Sequence, residues 1–261
     1  MSVIFDVNLA KLYELWYLSP MGRAMEVFVA KTLPALIAPQ PGERILDIGC
    51  GSGNNLLFLN RMGLDLTGVD ASPYMIDLCK KRLGSHCDLK IGRAEDLPFE
   101  DNEFDIAIFV NSLEFLDNPQ EALREAGRVA RRKVFITVIN SASWQCLFHR
   151  LIGSFSKNII YYAHPYNLWQ IRSQIKMAYG DVPVNWRSKK IQPRLPWSEN
   201  PKSFHCPFGL FLGISATISH TMRTDNLTLK IKNRHPKQSI AEGTTTIRRD
   251  NASQSSKAQN T

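Results

Sequence analysis

The stretch Arg44-Ile-Leu-Asp-Ile-Gly-Cys-Gly-Ser-Gly-Asn-Asn-Leu-Leu-Phe58 predicts a strand, a tight glycine turn and the start of a helix. Its apolar residues Ile45, Leu46 and Ile48 form the short run that is typical of a buried parallel strand. The glycines that follow permit positive φ and let a ligand approach the backbone closely. Asn54 can then cap the helix. The turn therefore predicts a ligand-binding edge of a parallel sheet.

Two carboxylates flank this turn. Asp47 ends the first strand, and Asp70 ends the next apolar run, which begins at Leu64. In a doubly wound sheet the carboxyl ends of neighbouring parallel strands form the edge at which ligands bind, and an acid at the second strand can accept hydrogen bonds from a ribose. The pair predicts a nucleoside-containing cofactor, although each acid alone could be an ordinary solvated strand end.

The glycine spacing argues against a dinucleotide. The fingerprint G-x-G-x-x-G requires a third glycine one residue later than Gly53. The order Asp47-x-Gly49-x-Gly51-x-Gly53 instead resembles the first motif of class I S-adenosylmethionine (SAM) methyltransferases. Residues 69–75 resemble the ribose motif of that family, and residues 92–110 resemble its adenine-side loop and fourth strand. The resemblance covers roughly residues 40 to 140 and extends to the subfamily that contains ubiquinone- and biotin-pathway methyltransferases.

The resemblance implies an α/β fold, with a Rossmann-like, mostly parallel sheet of seven strands and helices on both faces. The pattern of the chain agrees, because apolar runs alternate with segments of helical spacing. Strands are predicted at 44–49, 64–69, 87–92, 104–110, 133–139, 182–190 and 208–218, and helices between them at 54–62, 72–83, 118–129, 143–152 and 166–178. The resemblance makes the seventh strand antiparallel.

Three segments are predicted along the chain. Residues 1–40 form an N-terminal helical cap, residues 41–220 the SAM-binding domain, and residues 221–261 a disordered basic tail. Within the domain, residues 141–165 lack a clear period and are predicted to form a lid. The helices of the cap either fold over the cofactor, as the resemblance implies, or simply pack on the sheet.

The resemblance also implies a set of cofactor-binding residues. The backbone of the turn lines the methionine portion, Asp47 attracts its amino group, and Asp70 takes the ribose hydroxyls. Ala94 faces the adenine, with Glu95 or Asp96 near its exocyclic amine. The full predicted set is Asp47, Gly49, Cys50, Gly51, Ser52, Gly53, Asp70, Ala71, Met75, Ala94, Glu95, Asn111 and Phe115.

No motif identifies a catalytic residue, because SAM is already a powerful methyl donor and alignment alone contributes up to about 7–11 kcal/mol in intramolecular systems. A histidine could remove a proton from an acceptor near neutral pH, but each histidine could equally be structural. The candidates on the acceptor side are His149, His164, Tyr13 and Tyr17, followed by Trp16 and Tyr162. The acids Asp105, Glu114 and Asp117 are interpreted as turn or helix-cap residues.

The composition limits the size of the core, the metal sites, the location and the partners that can be expected. The 261 residues, 44% of them hydrophobic, suffice for one sizeable core. Five scattered cysteines without a C-x-x-C pair predict no metal site and reduced thiols in a cytoplasm. No apolar run predicts a membrane span, and the N-terminus lacks the pattern of a signal peptide. Eight basic residues against three acidic ones from Thr221 onward place most of the net charge of +8 in the tail, which disfavours a nucleic-acid surface on the domain.

The sequence therefore predicts a SAM-dependent methyltransferase that acts on a small-molecule acceptor by in-line displacement. The alternatives are a SAM-binding regulatory module without catalysis and an NAD(P)-linked oxidoreductase. After the fourth strand the chain reads Asn111-Ser-Leu-Glu114 rather than an Asn-Pro-Pro-Tyr type of tetrapeptide. This departure disfavours methylation of amino groups in nucleic-acid bases.

Overall fold

A seven-stranded sheet runs through the residues that the computed structural model describes, which are 4–151, 159–189 and 206–218. The strands are β1 (Arg44–Ile48), β2 (Asp65–Asp70), β3 (Asp88–Ile91), β4 (Phe104–Val110), β5 (Ala130–Ile139), β6 (Val184–Lys189) and β7 (Phe211–Thr217). Their order is β3-β2-β1-β4-β5-β7-β6. Strand β7 is antiparallel to β5 and β6, and the other pairs are parallel. The predicted Rossmann-like, mostly parallel sheet is confirmed.

Helices cover both faces of this sheet. They are α1 (Val7–Leu18), α2 (Pro20–Ile37), α3 (Asn54–Asn60), α4 (Pro73–Leu83), α5 (Pro119–Val129), α6 (Trp144–Leu151) and α7 (Leu168–Tyr179), with 3₁₀ turns at Leu113–Phe115 and Ile159–Tyr162. Helices α2, α3 and α4 pack against one face, and α5 and α7 pack against the other. Consecutive strand residues such as Ile45 and Leu46 are both fully buried, one on each face, which explains the unbroken apolar run in the sequence.

The order of the strands creates a crevice where a ligand can bind. The chain moves from β1 outward to β2 and β3 and then returns to the other side of β1 at β4. The connections that leave the carboxyl ends of β1 and β4 therefore diverge in opposite directions. This switch point is where open α/β sheets bind their ligands.

The two N-terminal helices have different positions. Helix α2 lies on the sheet, where the rings of Phe28 and Phe211 are 5.9 Å apart and Gly213 lets Thr32 approach closely. Helix α1 contacts α2, α4 and the Ile159–Tyr162 turn, and it borders the crevice. Of the two positions predicted for the cap, packing on the sheet describes α2, and a position beside the cofactor crevice describes α1. The division at residues 40 and 220 stays a prediction, and the predicted tail lies outside the described residues.

Strand β5 begins three residues earlier than the sequence suggested, although its first residues are charged. Arg132 donates to the carbonyl of Ile37 at 2.9 Å and pairs with Glu43 at 2.8 Å. Lys133 donates to the carbonyl of Leu36 at 2.9 Å. These cations satisfy the carbonyl groups at the end of α2, which a helix leaves without partners. The charged side chains at the start of β5 therefore connect this strand to the end of α2, and they do not indicate a loop.

Membrane spans were sought among the helices of the described residues. None of them combines the length and the apolar character that crossing a bilayer requires. The cytoplasmic location stays a prediction.

Candidate active site

A cavity occupies the crevice at the carboxyl ends of β1, β2 and β4. It contains about 750 Å³ of empty space, part of which is open to solvent. The predicted cofactor residues that line it are Gly49, Gly51, Asp70, Ala71, Met75, Ala94, Glu95, Asn111 and Phe115.

Two glycines of the turn shape the floor of this cavity. Gly49 has φ +72°, and a Cβ atom there would stand 2.5 Å from Cβ of Ser112. The Ser112 hydroxyl donates to the carbonyl of Ile48 at 2.6 Å, so the segment after β4 closes directly onto the turn. Gly51 has φ +53° and open space above it. Its backbone is therefore presented to whatever enters the cavity.

Three predicted residues of the turn do not line the cavity. A Cβ atom on Gly53 would stand 2.5 Å from the sulfur of Cys79, so this glycine lets α4 pack closely. The sulfur of Cys50 lies against Gly68 of β2. The hydroxyl of Ser52 donates to Glu14 of α1 at 2.5 Å. These three residues pack the turn against α4, β2 and α1. Contact between their backbone and a cofactor stays a prediction.

Asp70 lies at the cavity wall and holds the turn in place. Its Oδ2 accepts the backbone N–H of Gly51 at 2.9 Å, and its Oδ1 accepts that of Ser72 at 2.8 Å. Burial raises the pKa of this carboxyl, and the two backbone donors offset part of the rise. Each oxygen keeps a further lone pair for a ligand. Asp70 thus has the position and the capacity to accept hydrogen bonds from two hydroxyl groups.

Asp47 lies beneath the turn and does not line the cavity. The side chain is fully buried, and neither oxygen has a hydrogen-bond partner among the described residues. Burial and, secondly, the charge of Asp70 raise the pKa of Asp47 to about 8; the Asn55 side chain opposes this shift without reaching hydrogen-bond geometry. A buried carboxylate in this state requires a cation or a proton.

Glu95, which lines the cavity, has an unpartnered carboxylate oxygen. Glu95 pairs with Arg93 through Oε2 at 3.6 Å, whereas its Oε1 is buried without a hydrogen-bond partner. Asp96 does not line the cavity; its N–H bonds to the carbonyl of Arg93 at 3.2 Å. Of the two acids that the sequence left open, Glu95 is the one at the cavity. The structure alone reveals this, because adjacent residues in a loop carry no periodic signal.

A smaller cavity of about 260 Å³ adjoins the first. The two cavities share Tyr13, Asn111 and Phe115 as walls. The other walls of the smaller cavity are Trp16, Glu114, Ile139, Ile159 and Ala163. Residues from α1, from the end of β5 and from the predicted lid segment therefore meet beside the crevice.

Glu114 is a functional candidate that the sequence analysis missed. Its interpretation as a turn or helix-cap acid agrees with its place in the 3₁₀ turn Leu113–Phe115, but the sequence did not indicate that its side chain is only 1% exposed. Its Oε1 accepts the backbone N–H of Ile139 at 2.8 Å, whereas its Oε2 has no partner among the described residues. Burial raises the pKa of Glu114 to about 7, and the bond from Ile139 lowers it in part. The burial comes from residues distant in the chain, which no local pattern could indicate.

The four predicted catalytic candidates differ in position. Tyr13 lines both cavities, and burial raises the pKa of its phenol well above the usual value, so the hydroxyl keeps its proton. Tyr17 lines neither cavity, and burial followed by Glu26 raises its pKa as well. His164 is exposed and contributes a backbone N–H to the carbonyl of Glu114 at 2.8 Å. The side chain of His149 lies outside the described residues.

Asn111 is held in an uncommon conformation between the cavities. Its φ is +54°, a left-handed value that asparagine tolerates better than most residues. Its N–H donates to the carbonyl of Thr137 at 3.1 Å and so links the ends of β4 and β5. Such conformations concentrate at functional sites. Asn111 lines both cavities and therefore belongs to the wall between them.

Comparison with known proteins identifies the same region. Residues 46–138 match a family model described as a methyltransferase domain. An uncharacterized protein of Methanocaldococcus jannaschii is 33% identical over 143 residues, which cover 54% of this chain and 63% of that protein. The chain thus spans less than two thirds of the length of this relative.

Solved structures share the fold. One is a SAM-dependent methyltransferase, possible histamine N-methyltransferase, from Thermotoga maritima, with a TM-score of 0.63, 22% identity and coverage of 81% of this chain and 97% of that one. Another is the magnesium protoporphyrin IX methyltransferase of Synechocystis with bound S-adenosylhomocysteine (SAH), with a TM-score of 0.61, 14% identity and coverage of 82% and 96%. At these identities the likeness concerns the fold alone. The resemblance to ubiquinone- and biotin-pathway enzymes stays a prediction.

Proposed function

We propose that the chain is a class I SAM-dependent methyltransferase, because residues 46–138 match a methyltransferase-domain model, and that it transfers a methyl group from SAM to a small-molecule acceptor. One observation carries the proposal. Asp70, which accepts the backbone N–H of Gly51, and Glu95, which has an unpartnered buried oxygen, line the same cavity. Two carboxylate acceptors in one cavity suit the ribose hydroxyls and the adenine amine of a nucleoside.

The residues present also suit the charge of SAM. Its sulfonium and its ammonium group are both cationic, and the site offers carboxylates at Asp47, Asp70 and Glu95. Asp47 lacks a hydrogen-bond partner among the described residues, so an ammonium group that reaches it directly or through water would compensate its buried charge. In the proposal, Gly49, Gly51 and Asn111 contact the methionine portion, and Ala71 and Met75 pack on the base.

When bound, SAM supplies a methyl group attached to a positively charged sulfur. The chain itself needs to orient the acceptor and to exclude water. Phe5, Tyr13 and Phe115 form an aromatic cluster at the cavity, with the Phe5 ring centroid 5.2 Å from that of Phe115 and 6.0 Å from that of Tyr13. These rings would shield the reacting groups from solvent. Their apolar character favours an apolar or aromatic small molecule as the acceptor.

Calorimetric titration with SAM, SAH and NADH tests the proposal. We expect micromolar affinity for SAM and SAH and none for NADH. Asp70→Asn should weaken SAH binding at least tenfold, which is about 1.4 kcal/mol, because the charge is removed and an amide NH2, which cannot accept a hydrogen bond, replaces one of the two acceptor oxygens. The control Asp77→Asn removes an exposed carboxylate of α4 and should leave binding unchanged. Binding of NADH alone, or of none of the three, would refute the proposed donor.

A further inference from the structure

We propose that an exposed apolar patch beside the crevice docks on the surface of an anionic phospholipid membrane. The patch consists of five residues, which are Trp144 and Leu147 of α6, Tyr162, Trp169 of α7, and Phe208. Each of them is between 41% and 72% exposed. Single exposed apolar residues are common on proteins, whereas a group of them marks an interaction site.

Two members of this patch contact each other. The ring centroids of Trp169 and Phe208 are 6.2 Å apart. Phe208 is held in place by the buried side chain of Asn140, whose Nδ2 donates to the carbonyls of Pro207 and Gly209, both at 2.7 Å. Because Asn140 directly follows β5, this part of the patch lies at the carboxyl ends of the parallel strands. The crevice lies at the same edge of the sheet.

The start of α6 is brought to this edge as well. Ser141, next to Asn140, donates its N–H to the carbonyl of Tyr166 at 3.1 Å. This bond places the segments that lead into α6 and α7 side by side. Trp144 is the first residue of α6 and Trp169 is the second of α7, and both side chains are exposed. Residues that are distant in the chain therefore form one patch.

The charge around the patch is positive. Between Glu125 and Asp181 the sequence contains eight basic residues and no acidic one, whereas residues 1–125 contain nineteen acidic and eleven basic residues. Arg172 and Lys176 follow Trp169 at helical spacing, so these three exposed side chains share one face of α7. Lys176 pairs with Asp181 at 2.8 Å, but such an exposed pair is weak. The side of the domain that carries the patch therefore attracts an anionic surface.

This combination of side chains suits a membrane better than other partners. Tryptophan and tyrosine are favoured at the level of lipid headgroups, where Leu147 can enter the apolar layer and Arg172 can pair with phosphate. A twofold contact with a second copy would place the patch against itself and bring its cations together. Nucleic acid is bound chiefly through its phosphates, and an aliphatic side chain offers no stacking surface to its bases.

Docking through this patch would bring the crevice close to the membrane. Tyr162 follows Ile159 and precedes Ala163, and these two residues are walls of the smaller cavity. Helix α1 contacts the same turn, borders the crevice and exposes Leu15 and Leu18. An apolar acceptor dissolved in the membrane would then reach the crevice without crossing water. This last consequence rests on the proposed function, whereas the docking itself does not.

Co-sedimentation of the full-length chain with lipid vesicles tests the inference. One set of vesicles contains phosphatidylcholine alone, and the other contains phosphatidylcholine and phosphatidylglycerol in equal parts. Binding is measured at low and at high salt, because salt screens the electrostatic contribution and leaves the apolar one. Tryptophan emission reports whether exposed indoles enter an apolar environment. Sedimentation velocity of the protein alone and with polyuridylate measures self-association and binding of nucleic acid.

Substitutions on the patch are compared with matched substitutions elsewhere. The double variant Trp144→Ser/Trp169→Ser removes both indoles, and Arg172→Gln removes one cation of α7. The controls are Leu57→Ser on α3 and Arg61→Gln after it, both at exposed positions. Thermal unfolding and calorimetric titration with SAH show whether each variant keeps its fold. The patch residues do not line the larger cavity, so SAH affinity should stay unchanged.

We expect wild-type protein to bind the mixed vesicles, to bind them less tightly at high salt, and to shift its tryptophan emission to shorter wavelength. The double variant should bind about tenfold more weakly and lose the shift. Arg172→Gln should weaken binding a few-fold, with the mixed vesicles only, and the controls should behave as wild type.

Three results would overturn the inference. The first is no binding to either kind of vesicle. The second is binding that the double variant retains in full, which would assign it to another part of the chain, such as the basic tail. The third is self-association or polyuridylate binding that the double variant abolishes, which would assign the patch to a second copy or to nucleic acid. If SAH binds but vesicles do not, only this inference fails. If vesicles bind but SAH does not, only the proposed function fails.

Discussion

Replacement of Asp47 by asparagine should make the ligand-free protein more stable at alkaline pH. The side chain is fully buried without a hydrogen-bond partner among the described residues, and burial raises its pKa from the ordinary 3.8 to about 8. Between pH 5 and pH 8 the native state therefore holds a proton that the unfolded chain has released. Under this condition stability falls as the pH rises. Asparagine keeps the shape of the residue and removes the titration.

The magnitude follows from the proton balance. One additional proton in the native state corresponds to about 1.36 kcal/mol for each pH unit, and the site is half titrated near pH 8, so wild-type protein should lose on the order of 4 kcal/mol between pH 5 and pH 8 through Asp47. The buried amide of Asp47→Asn has its own desolvation penalty, about 1–3 kcal/mol, but this penalty does not change with pH. The difference between variant and wild type should therefore grow by on the order of 4 kcal/mol in favour of the variant.

Urea unfolding followed by circular dichroism at pH 5, 6, 7 and 8, without ligand, measures this difference. Asp77→Asn serves as the control, because it makes the same chemical change at an exposed position of α4. A difference between Asp47→Asn and wild type that stays constant across the four pH values would refute the reasoning. It would mean that the buried carboxylate has a partner or a solvent path that the structure does not show.

Two other perturbations probe how the turn is held. Gly49→Ala should lower the free energy of unfolding by about 1–3 kcal/mol, because the residue has φ +72° and its new Cβ would meet Ser112; an unchanged melting temperature would contradict this. Arg82→Gln should weaken SAH binding a few-fold in calorimetry while changing stability by less than about 1 kcal/mol, because Arg82 pairs with Glu14 at 3.2 Å and so holds α1 beside the turn. SAH affinity equal to that of the wild type would show that α1 is positioned by other contacts.

The strands of the central sheet could be predicted because their signals are local. Strand β4 occupies Phe104–Val110 as predicted, since a short and largely apolar run between polar residues is typical of a buried strand. Helix α5 begins at Pro119, close to the predicted start at residue 118, and Asn118 caps it by accepting the N–H of Glu121. At β5 the prediction failed by three residues, because the charged side chains of Arg132 and Lys133 find their partners at the end of α2.

The residues of the site could be predicted only where they belong to a local sequence motif. The turn and Asp70 belong to two short motifs at the ends of neighbouring strands, and the structure brings Gly49, Gly51 and Asp70 to one cavity. Glu114 escaped prediction because its burial depends on Trp16, Ile139 and Ile159, which are distant in the chain and close only in the fold. Three-dimensional proximity of this kind leaves no spacing or period in a single sequence.

A crystal structure of the protein with SAH tests the central claim most directly. We predict that SAH occupies the cavity at the ends of β1, β2 and β4, with its ribose hydroxyls within hydrogen-bond distance of Asp70 and its adenine amine facing Glu95. The homocysteine portion should then lie over Gly51, toward the wall formed by Asn111. SAH bound elsewhere on the molecule, or a cavity that stays empty at saturating SAH, would contradict this claim.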